Sequence, residues 1–597
     1  MYTLSDVLHL QGELGRFTVT VRQRARYIDM GKCIACGTCA EKCPRKVDDA
    51  FNLGLSKRKA VYIHFSQAVP LKYAIDRDHC IYFEKGKCRV CEKSCPTQAV
   101  NWNDTDREFP LEVGAVVLAP GFEPCDPTRF ETYGYGRFPD VLTSMEFERL
   151  LSAAGPTQGR LARPSDGKAP RKIAWLQCVG SRDIHHAGHA YCSAVCCMAA
   201  VKEAVIAKEH ADGNLEAAIF FMDMRTHGKD FERYAERARA ERGVRFIRSR
   251  VHSVEAASSG DGGLVIVTAT ESGEVLSEAF DLVVLSVGLE TPEGVVQATA
   301  RLGIPLNEHG FAQGGFSEPV ATGREGVFAC GAFLGPKDIP QSVMEASAAA
   351  AAVAGRLGGS AVGTVDAMEV PPGAAEPIPT NPPRVGVFVC NWGVNIGGVV
   401  RVPEVVEYAR TLPHVVHVQA NLFSCSQDAQ AQLQEVLRNE RLNRVVVAAC
   451  SPRTHEALFR ATLQHAGLNK YLFEMANIRD QNAWVHRDDP EAATEKAKDL
   501  VRMAVVKATL LEPLQEEQVS ITPAALVVGG GLAGLQAALA VADFGFDVHL
   551  VERNRELGGQ ARHIHQTRSP YLRVLFGTGL CGHAGGWYCS EGHHYGN

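Results

Sequence analysis

Cys33, Cys36, Cys39 and Cys43 stand before Pro44, and Cys80, Cys88, Cys91 and Cys95 stand before Pro96. The first run is C-x2-C-x2-C-x3-C-P, a spacing in which three thiolates grip one iron-sulfur cube while the fourth reaches a second. Crossed ligation follows. Cys33, Cys36, Cys39 and Cys95 are expected to hold one 4Fe-4S cluster, and Cys80, Cys88, Cys91 and Cys43 the other. A zinc site uses four ligands rather than eight, and disulfide staples belong to small secreted scaffolds. Two neighbouring cubes are a means of moving electrons.

A second set comprises Cys178, Cys192, Cys196 and Cys197. Cys192 and Cys196 are four apart and share a face if both are helical, while Cys178 ends a strand whose crossover leads to that helix's N-terminus. A helix N-terminus favours thiolates and a negatively charged cluster, so a third 4Fe-4S cluster is expected here. The competing reading is a set of buried free cysteines. Lys202 lies five residues past Cys197; its ammonium could stabilise a reduced anionic flavin or could be a solvated helix charge. His185, His186 and His189 read as surface residues. Cys390, Cys425 and Cys450 each end a predicted parallel strand and so could converge at one sheet edge, but three thiolates do not complete a cubane and core cysteines are the alternative. Cys125 and Cys330 read as structural.

Gly529, Gly531 and Gly534 form G-x-G-x-x-G between a strand and a helix, and Glu552 ends the next strand. The glycines let backbone and helix N-terminus approach a pyrophosphate, and the acid would bind ribose hydroxyls. Gly331, at the end of the strand from Gly326 to Cys330, is grouped with these cofactor-binding residues. Leu557-Gly558-Gly559 resembles flavoproteins and favours FAD over NAD. Only about forty residues follow the motif's second strand, too few to complete a sheet. Cys178 is followed by Val179-Gly180-Ser181-Arg182, without the glycine motif, so direct nicotinamide binding is not expected there.

The elements that must position these groups are mostly short apolar strands alternating with helices, the mark of parallel α/β units. Phe17, Val19 and Val21 alternate in a strand leading to the first cysteine run. Buried strands are expected from Val113 to Gly121, from Ile173 to Gln177, from Leu282 to Ser286 and at Gly326 to Gly331, with a buried alanine-rich helix over Ala346 to Ala354. Six prolines between Pro371 and Pro383 mark a linker. Beyond it, strands at Arg384 to Val389, Val415 to Asn421, Arg444 to Ala449 and Ala525 to Val528 open a different α/β unit. Cys581 and Cys589 fall in an unpatterned tail.

The chain has 597 residues, net charge -6 and 22% charged residues, a balance that suggests neither nucleic acid nor an anionic membrane surface as partner. No apolar run of about 18 residues predicts a membrane span, and no leader pattern opens the chain. Nineteen cysteines, most of them in cluster-like spacings, fit a reducing, cytoplasmic setting.

Tyr191-Cys192-Ser193-Ala194-Val195-Cys196-Cys197-Met198, Leu176-Gln177-Cys178-Val179-Gly180-Ser181-Arg182 and the stretch from Asn443 through Cys450-Ser451-Pro452-Arg453-Thr454-His455-Glu456 resemble the A subunit of heterodisulfide reductase. The resemblance implies an α/β protein with an inserted two-cluster ferredoxin-like domain (1–110), a thioredoxin-reductase-like doubly wound portion (111–365), a linker (366–383), a second α/β domain (384–520), a partial Rossmann FAD-binding segment (521–565) and a tail (566–597). It implies 4Fe-4S clusters and FAD, a cluster on the cysteines at 178, 192, 196 and 197, and Lys202 near the flavin. It also implies partners: further subunits of the complex, a hydrogenase or dehydrogenase donor, and ferredoxin, with flavin-based bifurcation as the family's most elaborate use of them. The family usually has additional cysteines where Trp392 and Asn482 stand here, which puts a cluster on Cys390, Cys425 and Cys450 in doubt. The order of parts is rotated relative to the family. A truncated tandem pair of units is the simplest account; the other is a permutant in which residues 525 to 565 fold back onto the flavin domain of 111 to 365.

Overall fold

The computed structural model describes residues 1–65, 68–184, 188–211, 214–257, 263–270, 272–314, 318–357, 381–517, 522–555 and 557–559. His185, His186, Cys581 and Cys589, the tail from 566 and all of the linker before residue 381 lie outside them.

The chain opens with an antiparallel hairpin, Ser5–Glu13 and Arg16–Gln23, extended on its far side by Arg107–Val113. Phe17, Val19 and Val21 point inward from it and meet Leu302, Ile304 and Val327. The single strand expected from Val113 to Gly121 is two strands. Phe109, Leu111 and Val113 alternate with polar or proline positions and so suit a one-sided antiparallel strand, whereas Val116–Leu118 pairs in parallel with Val327–Ala329. Gly114 separates them, and a Cβ there would sit 2.5 Å from Leu357 Cδ2.

The central unit is a five-stranded parallel sheet in the order Val141–Thr143, Leu282–Val287, Lys172–Val179, Glu216–Phe221, Arg245–Arg248. Its strands are apolar on both faces because an antiparallel sheet covers one face and helices cover the other. One is Ser144–Leu151, started by a reciprocal cap in which Thr143 and Glu146 each bond the other's backbone N–H. Another is Cys196–His210. Trp175 and Phe147, both fully buried, meet edge to face between them at 5.5 Å. An antiparallel sheet of Val251–Ala256, Leu264–Ala269 and Val275–Phe280 follows, with no counterpart in the sequence reading.

The alanine-rich helix forms, over Ile339–Arg356, but the expectation that it is buried is corrected. Ala349 is its one buried residue, and Val343 and Met344 are 59% and 64% exposed. The three-residue parallel pair behind it is too small to cover a helix of 18 residues.

Residues 381–517 hold a second parallel sheet, Val415–Asn421, Val385–Cys390, Arg444–Ala449, Phe473–Asn477, sandwiched between helices. Arg444 lies buried at the base of the third strand. Its guanidinium donates to the carbonyls of Ala508 at 2.9 Å, Asn443 at 2.8 Å and Leu511 at 2.7 Å, closing the C-terminus of the Pro490–Thr509 helix. Arg444→Met should therefore destabilise this unit by roughly 2 to 4 kcal/mol, because three carbonyls lose charge-assisted donors. The urea midpoint followed through Trp392 and Trp484 checks this; an unchanged midpoint would refute it.

Last, Ala524–Val528 and Asp547–Val551 form a two-stranded parallel sheet joined through the Leu532–Asp543 helix. That helix lies against the alanine-rich one, with Asp543 Cβ 3.6 Å from where a Cβ on Gly355 would stand. The two strands do not join Val116–Leu118 or Val327–Ala329, and Leu526 and Val528 are 65% and 77% exposed.

Candidate functional site

Two one-turn helices, Thr38–Lys42 and Val90–Ser94, pack on each other and carry Cys39 and Cys91. Burial pushes the Cys39 thiol up to about 11, and Cys33, Cys36 and Cys95 act on it as like groups. The same four cysteines line a small cavity with Ile28 and Pro96. Burial pushes Cys91 up to about 12, with Cys80 and Cys43 its strongest cysteine neighbours, and Cys80 is raised by burial and then by Cys43 and Cys88. Cys95 thus faces the first run and Cys43 faces the second.

Four thiols gathered together repel as thiolates, and iron removes that penalty, so the donor set fits a cluster at each end. The surroundings suit it too. Ala99 N–H donates to Cys95 Sγ at 3.2 Å, while Lys59 and Lys72 hold the carbonyls of Cys43 and Cys33, both at 2.5 Å. Among the described residues, no group of three or more His, Cys, Asp or Glu could hold a single metal ion.

The second set also gathers, by a different route from the one expected. The helix begins at Cys196, so Cys192 is not on it but in the preceding loop, where Ala194 at φ 62 turns the chain. Cys178 sits at the irregular end of its strand with φ 64. Burial is the main cause that raises the Cys196 thiol, followed by the effects of Cys197, Cys178 and Cys192 on it; burial pushes Cys197 itself up to about 11. Arg182 opposes the rise at Cys178. His189 is half-buried and partnered: its Nε2 is 2.8 Å from Glu290, it stacks on Tyr191, and Glu290 is held bidentately by Arg129.

Lys202, on the same helix, forms an ion pair with Glu148 across a cavity of about 610 Å³ lined also by Phe122, Pro124, Arg149 and Cys196. That volume suits a planar ring system. Much later in the chain, the Gly529 turn is formed. Gly529 has φ 107, a Cβ on Gly534 would meet Gly529 O at 1.8 Å, and the space beside Gly531 is open. Glu552 accepts from Gly530 N–H at 2.7 Å and Asn554 N–H at 2.8 Å, which hold its carboxyl below the usual range. The turn is thus shaped for a pyrophosphate, yet it shares no lining residue with the Lys202 cavity. Gly331, at φ 72, donates its N–H to Glu345 at 2.9 Å, and Glu345 pairs with Lys337.

Cys390, Cys425 and Cys450 do meet at the carboxyl edge of the second sheet. Burial pushes Cys425 up to about 11, followed by the effects of Cys390 and Cys450. Among the described residues, Ser424 Oγ, Asn477 Nδ2 and Asn482 Oδ1 are buried without hydrogen-bond partners, and the Arg479 guanidinium covers Trp392 at 4.6 Å. Cys125 and Cys330 are buried elsewhere. Glu148, Glu203 and Arg479 were not singled out from the sequence, where lone charges on helices and loops carry no signal.

The chain matches the 4Fe-4S binding domain family over residues 26–47, the pyridine nucleotide-disulphide oxidoreductase family over 64–351 and the NAD(P)-binding Rossmann-like domain family over 527–580. It is 42% identical over 359 residues to the iron-sulfur A subunit of the CoB-CoM heterodisulfide reductase of Methanocaldococcus jannaschii, covering 59% of this chain and 53% of that protein. Identity is likewise 42% over 360 residues to the A subunit of the H2/formate:CoB-CoM heterodisulfide,ferredoxin reductase of Methanococcus maripaludis, covering 59% and 53%. A crystal structure of T. acidophilum thioredoxin reductase is matched over 42% of this chain and 68% of its own length at 14% identity and a TM-score of 0.27, too low to carry a fold argument. Over about three fifths of its length this chain is similar to the iron-sulfur A subunits of CoB-CoM heterodisulfide reductase, and it spans about half the length of the relatives it matches.

Proposed function

We propose that this chain is an iron-sulfur and flavin electron-transfer subunit of a heterodisulfide-reductase-like oxidoreductase complex. The observation that carries the reading is the interleaving of the two cysteine runs, Cys95 with the first and Cys43 with the second, which supports two adjacent cubes. The third set, Cys178, Cys192, Cys196 and Cys197, borders the Lys202 cavity through Cys196, so a cluster there would lie beside a bound ring. FAD, when bound, would exchange electron pairs for the single electrons that cubes carry. Gly529, Gly531, Gly534 and Glu552 would hold its dinucleotide portion, with Gly331 as a further contact, and Lys202 would set its electrostatics. Donors of the hydrogenase or dehydrogenase class, ferredoxin and further reductase subunits are the proposed partners, on the names of the relatives. Splitting of the pair between two acceptors would be the fullest form of this function.

A second reading, an iron-sulfur relay without bound flavin, is favoured by the separateness of the Ala524–Val528 and Asp547–Val551 pair from the other flavin-side strands. Acid extraction of the anaerobically purified full chain decides between them. Release of about one FAD per chain supports the first reading; cubes without flavin support the second.

A further inference from the structure

The wall of the Lys202 cavity carries a side chain that electron transfer does not by itself require. Glu203, on the Cys196–His210 helix, is 1% exposed. Its Oε2 accepts the indole N–H of Trp175 at 2.9 Å. Its Oε1 is sealed from solvent and meets no donor among the described residues, so its hydrogen bond with the Glu148 carboxyl forms only if one of the two acids carries a proton. Glu148, a like group, acts on it from the Ser144–Leu151 helix and is itself the partner of Lys202. Arg149 and Cys196 are the other titratable groups on the cavity wall. An ionised carboxylate there would be unfavourable twice over, once through burial with an oxygen unpaired and once through repulsion from Glu148.

We propose that Glu203 is a positioning residue held as the neutral acid, sharing one proton with Glu148 so that Glu148 stays anionic as the fixed partner of the Lys202 ammonium. One proton between two carboxyls leaves one negative charge, which Lys202 balances, and Arg149 makes the wall net positive. Burial and Glu148 both drive the Glu203 carboxyl well above its ordinary range. A planar ring entering the cavity then meets an ammonium already held in place. That consequence rests on the flavin reading, whereas the shared proton depends on this chain alone.

The sign of the pH effect follows. Between the ordinary carboxyl range and the raised folded value, the folded chain binds a proton that the unfolded chain does not, so stability falls as pH rises through that window. Glu203→Gln keeps the acceptor for Trp175 and has no proton to lose, so its unfolding temperature should fall less over the same range.

The deciding experiment is infrared difference spectroscopy of the full chain, wild type against Glu203→Gln, across pH and both with and without added FAD. A protonated-carboxyl band present at neutral pH and missing from Glu203→Gln is expected. In Glu148→Gln the proton should bind at least about tenfold more weakly, because the repelling charge is gone. No Glu203-dependent band at neutral pH, or a band that Glu148→Gln does not move, would overturn the proposal. Failure of FAD to bind while the band persists would count against the flavin reading and leave the shared proton standing.

Discussion

Cys43→Ala is expected to abolish the cube that Cys80, Cys88 and Cys91 hold, although Cys43 belongs in sequence to the other run. The chain should lose about four irons, and its remaining low-temperature EPR signal should match that of Cys91→Ala rather than that of Cys39→Ala. Cys95→Ala should in turn match Cys39→Ala. The grounds are geometric. Cys91 and Cys80 both have Cys43 among their closest like groups, and Cys39 has Cys95 among its own. A spectrum of Cys43→Ala that matches Cys39→Ala would show uncrossed ligation and contradict the arrangement. No simple stability effect mimics this pairing, since destabilising the whole segment would remove both cubes together.

The second large effect is at the glycine turn. Gly534→Val should lower FAD occupancy at least about 100-fold, near 2.7 kcal/mol of binding, because a Cβ there meets the Gly529 carbonyl oxygen at 1.8 Å and the carbonyl carbon at 3.0 Å. Backbone cannot yield to that contact without opening the turn that presents Gly531. The rest of the fold should be untouched, because among the described residues this segment makes a two-stranded sheet with one exposed face. Equal flavin content in wild type and Gly534→Val would refute the turn as the dinucleotide site.

The parts of this molecule that were legible in the sequence are those in which a local pattern has a single physical solution. Cysteines at fixed short offsets must converge, and runs such as Leu282–Val287 or Arg444–Ala449 must be covered on both faces, so parallel strands could be read directly. What was hidden depended on partners distant in sequence. The strand expected from Val113 to Gly121 divides because Val113 and Val116–Leu118 find different neighbours, Arg16–Gln23 and Val327–Ala329. The alanine-rich helix has the composition of a buried one but too little sheet behind it. Cys192 reaches its neighbours through a left-handed residue at Ala194 rather than along a helix, which spacing alone does not reveal. His189 reads from sequence as a surface residue and Glu203 carries no sequence signal, because only the fold supplies Glu290, Trp175 and Glu148 as their neighbours.

Iron and acid-labile sulfide counted on the anaerobically purified full chain bear most directly on the claim that these thiols cage clusters. About twelve of each per chain are expected, four for each of three cubes, falling to about eight when Cys196 and Cys197 are both replaced by alanine. A count below about four in the unaltered chain, or one indifferent to all eight cysteines of the two ferredoxin-type runs, would contradict the account.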